Sequence, residues 1–348
     1  MWVPGHSTTA QAWLGKCSSG GVVMSSPYDP YDWARLMQAA HAAPSILNTK
    51  PWLFDDKLDS NRIELRPNWA RHLTVIDPRH RELFISCGAA LFNLRMAIRV
   101  TGHDPVVWLM PDEQIGGAAC RHCGDLCGVG DLLASVEIVT LKFHPVTLTE
   151  QRLYEAIPLR HTVREPFDHG APMILITELE RAARAERADA RLLHRRETGR
   201  LLRWAARIDQ ALKHDPLYLE ELRRWTGSNA SPDLGVPADK FGPTPKSWGR
   251  PPVRDLGLGW NVARQVKKFK GRSQLIVLET ETDKPSDWLR VGQAMQRLLL
   301  TATYYGLETS FLTQELEAED RKPPDYQLTQ HWWPWRESAQ MVIRVGVR

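Results

Sequence analysis

Apolar residues recur along this chain at the two spacings that mark helices and strands. From Tyr31 to Ala42, the residues Trp33, Leu36, Met37 and Ala40 fall on one helical face. Pro44 disfavours helical backbone at Ala43 and predicts the end of that helix. Pro51 acts in the same way on Lys50, and Trp52-Leu53-Phe54 then opens a strand. Between the two prolines lies a short loop carrying the small polar residues Ser45, Asn48 and Thr49. Ile63 and Leu65 alternate with charges in a short strand over 62–65. Asp77-Pro78 precedes a long helical pattern over 81–102, with Leu83, Phe84, Cys87, Leu91, Leu94, Ala97 and Ile98 on its core face. Cys87 reads as a small core residue rather than a reactive thiol. Val106 to Leu109 predicts a buried strand after the stop at Gly102, and Val136 to Val139 predicts another.

The second half repeats this mixture. Thr149 starts a helix with Leu153, Ala156 and Ile157 on its inner side, ended by Pro158. Leu202, Ala205, Ile208 and Leu212 give core spacing to a helix over 199–225. The stretch 226–252 then breaks into Gly, Pro, Ser and Asn. An irregular stretch of that length inside a compact domain is a functional lid or an insert. Leu275-Ile276-Val277-Leu278 predicts a buried strand, 288–305 a helix, and 341–345 a final strand. The pattern is that of an α+β protein.

Composition narrows the function classes. Of 348 residues, 43% are hydrophobic and 25% charged, as in ordinary globular proteins. The net charge of +4, from 45 basic and 41 acidic residues, is too small and dispersed to argue for nucleic acid. No apolar run reaches the roughly 18 residues that a membrane span needs. The first 26 residues are rich in Ser, Gly and Thr without an apolar core. They are expected to be a disordered extension, or an over-long start with Met24 as an internal candidate, and not a secretory signal. Five cysteines, an odd number, argue for a reducing cytoplasm. Cys120, His122, Cys123 and Cys127 have zinc-ligand chemistry but no second ligand pair, and the surrounding glycines read as a surface loop. His331-Trp332-Trp333-Pro334-Trp335 is read as packing, with aromatic stacking near a site as the alternative.

The segment Arg160-His161-Thr162-Val163-Arg164-Glu165-Pro166-Phe167 carries a different chemistry. In extended backbone its alternate residues share a side, so Arg160, Thr162 and Arg164 face one way. Two guanidinium forks flanking a hydroxyl suit a phosphate dianion, and a solvated basic turn is the bland alternative.

Two of these stretches resemble motifs of the nitroreductase superfamily. Ala43 to Trp52 is similar to the flavin loop A-P-S-x-x-N-x-Q-P-W at every fixed position except Lys50, where the family usually has Gln. Arg160 to Phe167 resembles the motif R-[RH]-[ST]-x-R-x-F that opens nitroreductase domains. The run Ile85 to Leu91, with Asn93-Leu94-Arg95, resembles the central helix of Acg-like relatives, and Gly235 to Ala238, Phe241 to Pro243 and Pro252 to Asp255 resemble their lid. The resemblance implies a bound FMN, with Pro44, Ser45, Ile46 and Asn48 along its ring and ribityl chain. It implies that Arg160, Thr162 and Arg164 hold the phosphate and ribityl chain. Thr313 and Gln314 are placed near the reactive edge, and residues of about 226–256 over the flavin. Arg344 or Arg348 is expected to add a basic contact to the phosphate. The implied activity is hydride transfer from NAD(P)H to FMN and onward to a small-molecule acceptor, a nitro compound or quinone. The other reading is a protein that sequesters FMN beneath its lid with little turnover. No side chain is assigned as an essential acid or base.

In the family the arginine motif precedes the flavin loop, and here it follows it. An internal duplication accounts for the inversion. Gly88, Ala90, Leu91, Leu94 and Gly102 are repeated as Gly292, Ala294, Met295, Leu298 and Gly306, and Ala39 to Ala42 as Ala182 to Ala185. The halves are expected at 27–148 and 149–348. Each lacks the motif that the other keeps, so a monomer would imitate a homodimer and build a single complete site.

Overall fold

The computed structural model describes residues 30–57, 60–111, 131–140, 144–245, 254–267, 269, 274–314, 316–317 and 339–348. The N-terminal extension, the Cys120–Cys127 cluster and the Trp332–Trp335 cluster lie outside the described residues.

The first half runs α1 (Pro30–His41), β1 (Trp52–Lys57), β2 (Arg62–Pro67), α2 (Arg81–Val100), β3 (Asp104–Leu109) and β4 (Ala134–Val139). A linking helix, α3 (Leu148–Ala156), follows. Its capping box is made by Thr147 and Glu150: Thr147 Oγ1 accepts from Glu150 N at 3.2 Å, and Glu150 Oε2 from Thr147 N at 2.8 Å. The second half contains α4 (Met173–Arg184), β5 (Asp189–Leu192), α5 (Arg195–Leu212), α6 (Pro216–Arg224), β6 (Gln274–Glu279), α7 (Pro285–Tyr304), β7 (Glu308–Phe311) and β8 (Ala339–Gly346).

Each half contributes one antiparallel four-stranded sheet. The orders are β1-β2-β4-β3 and β5-β6-β8-β7. Taken in chain sequence, both halves read helix, strand, strand, long helix, strand, strand, with α5 and α6 interposed in the second. The two sheets have the same connectivity.

The long helices α2 and α7 make the most extensive contact between any two elements. They cross where each has a glycine. A Cβ on Gly88 would lie 2.3 Å from the Leu289 carbonyl oxygen, and one on Gly292 would lie 2.1 Å from that of Ile85. The relation is reciprocal, since each glycine receives the carbonyl three residues before the other. One apolar core runs through both halves, from Leu36 and Ile63 through Leu91 and Leu298 to Ile276 and Ile343. The fully buried Asn93 joins this crossing to α1. Its Oδ1 accepts from Gln296 Nε2 at 2.7 Å, and its Nδ2 donates to Ala39 O at 2.8 Å. Helix α2 is long and apolar enough to cross a membrane, but most of it is buried inside the protein, as a core helix is.

Two expectations about these elements need correction. Val106 and Trp108 are exposed, at 40% and 36%, so β3 is not a buried strand. It is an edge strand with only one face on the core, and among the described residues no helix packs on its outer face. In β6, by contrast, Ile276 and Leu278 face the main core while Leu275 and Val277 pack with Leu201 and Ala205 of α5. Two covered faces explain its unbroken apolar run. The helix expected over 199–225 is two helices. Asp215 caps the second, accepting from the N–H groups of Leu217 and Tyr218 at 3.1 Å, with Pro216 at the first helical position. The pattern also did not identify β5, whose four residues are too few for a period. Cys87 is buried as expected; burial pushes its thiol up, and its Sγ donates to Pro51 O at 3.2 Å.

His80 precedes α2 in the left-handed region, at φ 64°. Its Nδ1 lies 2.9 Å from His72 Nε2, and both imidazoles meet the edge or face of Trp69. Burial, then His72, lowers the His80 pKa from 6.5 to about 4.

Two predictions follow from this frame. Gly88→Ala and Gly292→Ala each cost roughly 3 kcal/mol or more in denaturant unfolding, because backbone on the facing helix cannot move aside as a side chain would. Gly199→Ala in α5, where a Cβ would meet only the Arg203 guanidinium at 3.7 Å, is neutral or stabilising by up to about 1 kcal/mol. As pH falls, the unfolded chain protonates His80 first, so the stability of the neutral ring is present above about pH 6.5 and lost toward pH 4. His80→Asn, which tolerates the left-handed backbone, flattens that slope in thermal melts taken from pH 7 to 4.

Candidate functional site

The prolines that end α1 and start β1 leave a loop with little room to relax. Leu47, Asn48 and Lys50 all have positive φ, at 46°, 55° and 47°. None is glycine, and each such residue costs on the order of 1 kcal/mol or more unless its surroundings hold it. Here they do. Ser45 Oγ accepts from Lys50 N at 2.9 Å, Ser86 Oγ from Ile46 N at 3.2 Å, and Lys50 O from Arg71 Nη1 at 2.9 Å. Trp52, 1% exposed, anchors the exit. Its indole N–H donates to His41 Nδ1 at 2.8 Å. An indole can only donate, so His41 carries its proton on Nε2. Burial, then the charges of Lys50 and Arg71, lower the His41 pKa.

This loop forms one wall of a cavity of about 600 Å³, inside the size range of small-molecule and cofactor sites. The first turns of α2 and Met295 of α7 form its base, the 160–165 segment and β7 another wall, and residues 235–242 with Arg254 and Leu256 a third. The cavity thus draws on both halves. Of the residues named from the sequence, Pro44, Ser45, Ile46, Asn48, Arg160, Thr162, Arg164 and Thr313 all line it.

Gln314 does not. It is 1% exposed, and its Nε2 donates to Asp209 Oδ1 at 3.3 Å, away from the cavity lining. Burial raises the Asp209 pKa to about 6, against the pull of Gln314. Thr313 Oγ1 donates to Glu317 at 2.8 Å and accepts from Arg254 Nη2 at 3.3 Å. Asn48 also plays a part that the motif does not reveal. Its Nδ2 donates to Gly235 O at 3.0 Å and Asp233 O at 3.4 Å, and its own carbonyl accepts from Gly235 N at 3.1 Å. Asn48 thereby ties its own loop to the chain at Gly235, on the cavity's third wall.

The 160–165 segment is irregular, not a strand. Val163 N donates to Thr309 O at 2.8 Å, which fixes the segment beside β7. Arg344 clamps it from β8, donating to Ser310 Oγ at 2.8 Å, Val163 O at 2.8 Å and Glu165 O at 2.7 Å, with its guanidinium over the Phe167 ring. Burial lowers the Arg344 pKa to about 9. Arg344 therefore supports the arginine segment and does not line the cavity, whereas Arg348 does.

Arg160 is the exceptional group. Its Nε and Nη1 are buried with no hydrogen-bond partner, and burial lowers its pKa to about 10. Arg164 is also depressed to about 10, by burial and then by the charges of Arg254 and Arg160. Its Nη1 donates to Lys240 O at 3.1 Å. Two buried donors without a partner are costly, and an anion with several acceptor oxygens would satisfy them. That orphaned group fits a phosphate. Among the described residues, no cluster of His, Cys, Asp or Glu fits a metal ion.

Sequence reasoning missed Ser86, Glu82 and Met295 because helical periodicity marks them only as core. It placed Lys240 and Arg254 only within the stretch of about 226–256 and gave neither a contact of its own, because they lie in irregular chain.

Curated relatives match most of the chain. A "putative NAD(P)H nitroreductase" of Mycobacterium tuberculosis (strain H37Rv) is 31% identical over 308 residues, covering 86% of this chain and 81% of the relative. The "putative NAD(P)H nitroreductase acg" of the same strain is 28% identical over 285 residues, covering 81% and 80%. The chain belongs to the nitroreductase family. No family model matches the chain. The crystal structure of a "putative nitroreductase" from Anabaena variabilis covers 92% of this chain and 74% of that one, at 12% identity and a TM-score of 0.36, too loose for a comparison of sites.

Proposed function

We propose that the cavity binds FMN and that the protein is an NAD(P)H-dependent flavin oxidoreductase whose acceptor is a nitro compound or a quinone. The observation that carries this reading is the pair of buried, unpartnered donors Nε and Nη1 of Arg160, on a cavity that the Pro44–Asn48 loop also lines. When bound, the flavin supplies the redox chemistry, taking a hydride from NAD(P)H and passing electrons to the acceptor. The chain's own part is to hold and cover. Arg160 and Arg164 neutralise the phosphate, and Thr162 offers a hydroxyl beside them. Ser45 and Ser86 fix the loop, whose small residues let backbone approach a flat ring. Residues 235–242, fastened through Asn48, limit the access of water.

The proposal includes a fused pair of nitroreductase-like halves acting as a monomeric pseudo-dimer. The matching sheet connectivity and the reciprocal glycine crossing support it. So does a second cavity of about 450 Å³, which lies against Arg95, Glu186 and Gln293. There the arginine is already satisfied. Glu186 accepts from Arg95 at 2.6 Å and from Arg297 at 2.9 Å, so the carboxylate occupies the role that a bound anion would fill.

A second reading has its own support. The Asn48 clasp and the apolar cluster of Leu47, Val236, Phe241 and Leu256 pack the covering segment down. A protein so closed would sequester FMN rather than turn it over.

Arg160→Ala weakens FMN binding by about 1.5–3 kcal/mol in a fluorescence titration, the scale of a charge-assisted hydrogen bond. Arg181→Ala, a charge removal on the exposed side of α4, leaves it unchanged. Absorbance spectra before and after anaerobic NADPH separate the readings. Flavin bands that bleach with NADPH mark an oxidoreductase. Bands that persist with NADPH and bleach with dithionite mark a store. Absence of flavin bands after incubation with FMN would end both.

A further inference from the structure

Lys50 stands where the flavin-loop motif has glutamine, and it lines the cavity. Its backbone is left-handed, at φ 47°, a region that suits glycine or asparagine better than lysine. Both of its backbone polar groups are pinned there. Its N–H donates to Ser45 Oγ at 2.9 Å, and its carbonyl accepts from Arg71 Nη1 at 2.9 Å. Strain held in this way on a cavity wall points to function. Among the described residues the Lys50 ammonium has no hydrogen bond and no ion pair.

The other charges of the lining are taken up. Glu82 pairs with Arg81 at 3.1 Å, Glu165 with Lys267 at 2.7 Å and Lys240 with Asp239 at 3.5 Å. Arg254 pairs with Glu317. Arg160 and Arg164 stand at the phosphate end, and Arg348 follows β8, the strand that clamps their segment through Arg344. Lys50 is left as a lining cation with neither a carboxylate nor a share in the phosphate end. His41 lines the cavity from the other end of the same loop. Trp52 makes its Nδ1 an acceptor, so Nε2 presents the N–H. The Lys50 charge reaches this ring, lowering its pKa second only to burial, and the imidazole stays neutral beside it. Together the two residues offer one positive charge and two donors. A carboxylate offers one negative charge and two acceptor oxygens.

We propose that Lys50 and His41 form a carboxylate-recognition site, and that the electron acceptor is an aromatic acid, a nitro compound or quinone bearing a carboxylate. The inference rests on the flavin reading in taking the ligand to be the acceptor. His41 and Lys50 bracket Pro44 to Asn48, the loop assigned to the flavin ring. A carboxylate held between them brings the aromatic body of the acceptor to that loop, so binding the acid also orients the group to be reduced.

Para-nitrobenzoate and para-nitrobenzamide share the ring and the nitro group and differ in charge. In calorimetric titrations of the full chain loaded with FMN, the acid is expected to bind about tenfold or more tightly than the amide. That preference falls to near unity in Lys50→Gln, which carries the residue of the motif, and is kept in Lys50→Arg, which retains a cation. The kcat/KM ratio for NADPH-dependent reduction of the two compounds follows it. Equal binding of acid and amide, no binding of the acid, or an undiminished preference in Lys50→Gln overturns the proposal. Should Lys50→Gln fold poorly, Lys50→Asn suits the left-handed backbone and makes the same comparison.

The flavin-free chain separates this inference from the flavin reading. If the chain takes up no FMN but binds para-nitrobenzoate in a way that Lys50→Gln abolishes, the flavin reading fails and the carboxylate site stands. If bound flavin bleaches with NADPH while acid and amide are treated alike, the carboxylate site fails and the flavin reading stands.

Discussion

The backbone contact between α2 and α7 sets the geometry of the rest. At Gly88 and Gly292 the helices approach so closely that neither position has room for a methyl group. Both sheets hang from this crossing, one on each side, and a single core fills the space between them. The cavity takes its base from the same pair of helices, through Ser86 near the crossing and Met295 one turn beyond it. A small shift at the glycines would therefore move the base of the site relative to the walls supplied by either half. Dispersion and burial over so long an interface are worth many kcal/mol in aggregate, although each contact is small.

Much of this was legible in the sequence, for reasons that can be stated. The paired glycines were legible only as markers of a repeat, and nothing local told that the two helices cross at them. The cavity loop was legible because Pro44 and Pro51 fix its ends and the small polar residues Ser45, Asn48 and Thr49 lie between them. Arg160, Thr162 and Arg164 were legible because two guanidiniums and a hydroxyl at alternate positions form a chemical pattern, even though the segment is not a strand. What stayed hidden has a common cause. The exposure of Val106 and Trp108 depends on what does not pack over β3, and local pattern carries no such information. Asn48 was read as a ligand from its motif. Its bonds to Gly235 come from chain nearly two hundred residues away. Gln314 and Thr313 are adjacent in sequence but turn to different partners, one to Asp209 and the other into the cavity wall.

The arginines show how the fold uses the same side chain for opposite ends. Arg344, with three hydrogen-bond acceptors and an aromatic face, is a finished piece of architecture. Arg99 is equally complete, held by Glu150 and Asp104. Arg160 has no such set of partners at Nε and Nη1. Natural proteins seldom leave buried donors unsatisfied, and where they do the reason is usually functional.

The left-handed run at Leu47, Asn48 and Lys50 has a bearing on the order in which the protein comes apart. With no glycine to make these dihedrals easy, an unfolded chain seldom visits them, and only the packed neighbours keep the loop in shape. Its free energy is borrowed from Ser86, Arg71 and the chain at Gly235 rather than from its own residues. Such a loop belongs to the low-stability end of a structure, where local opening precedes global unfolding. On warming, ligand binding should be lost while the α2–α7 core still stands. The protein would pass through a state that is folded in its centre and empty in its function.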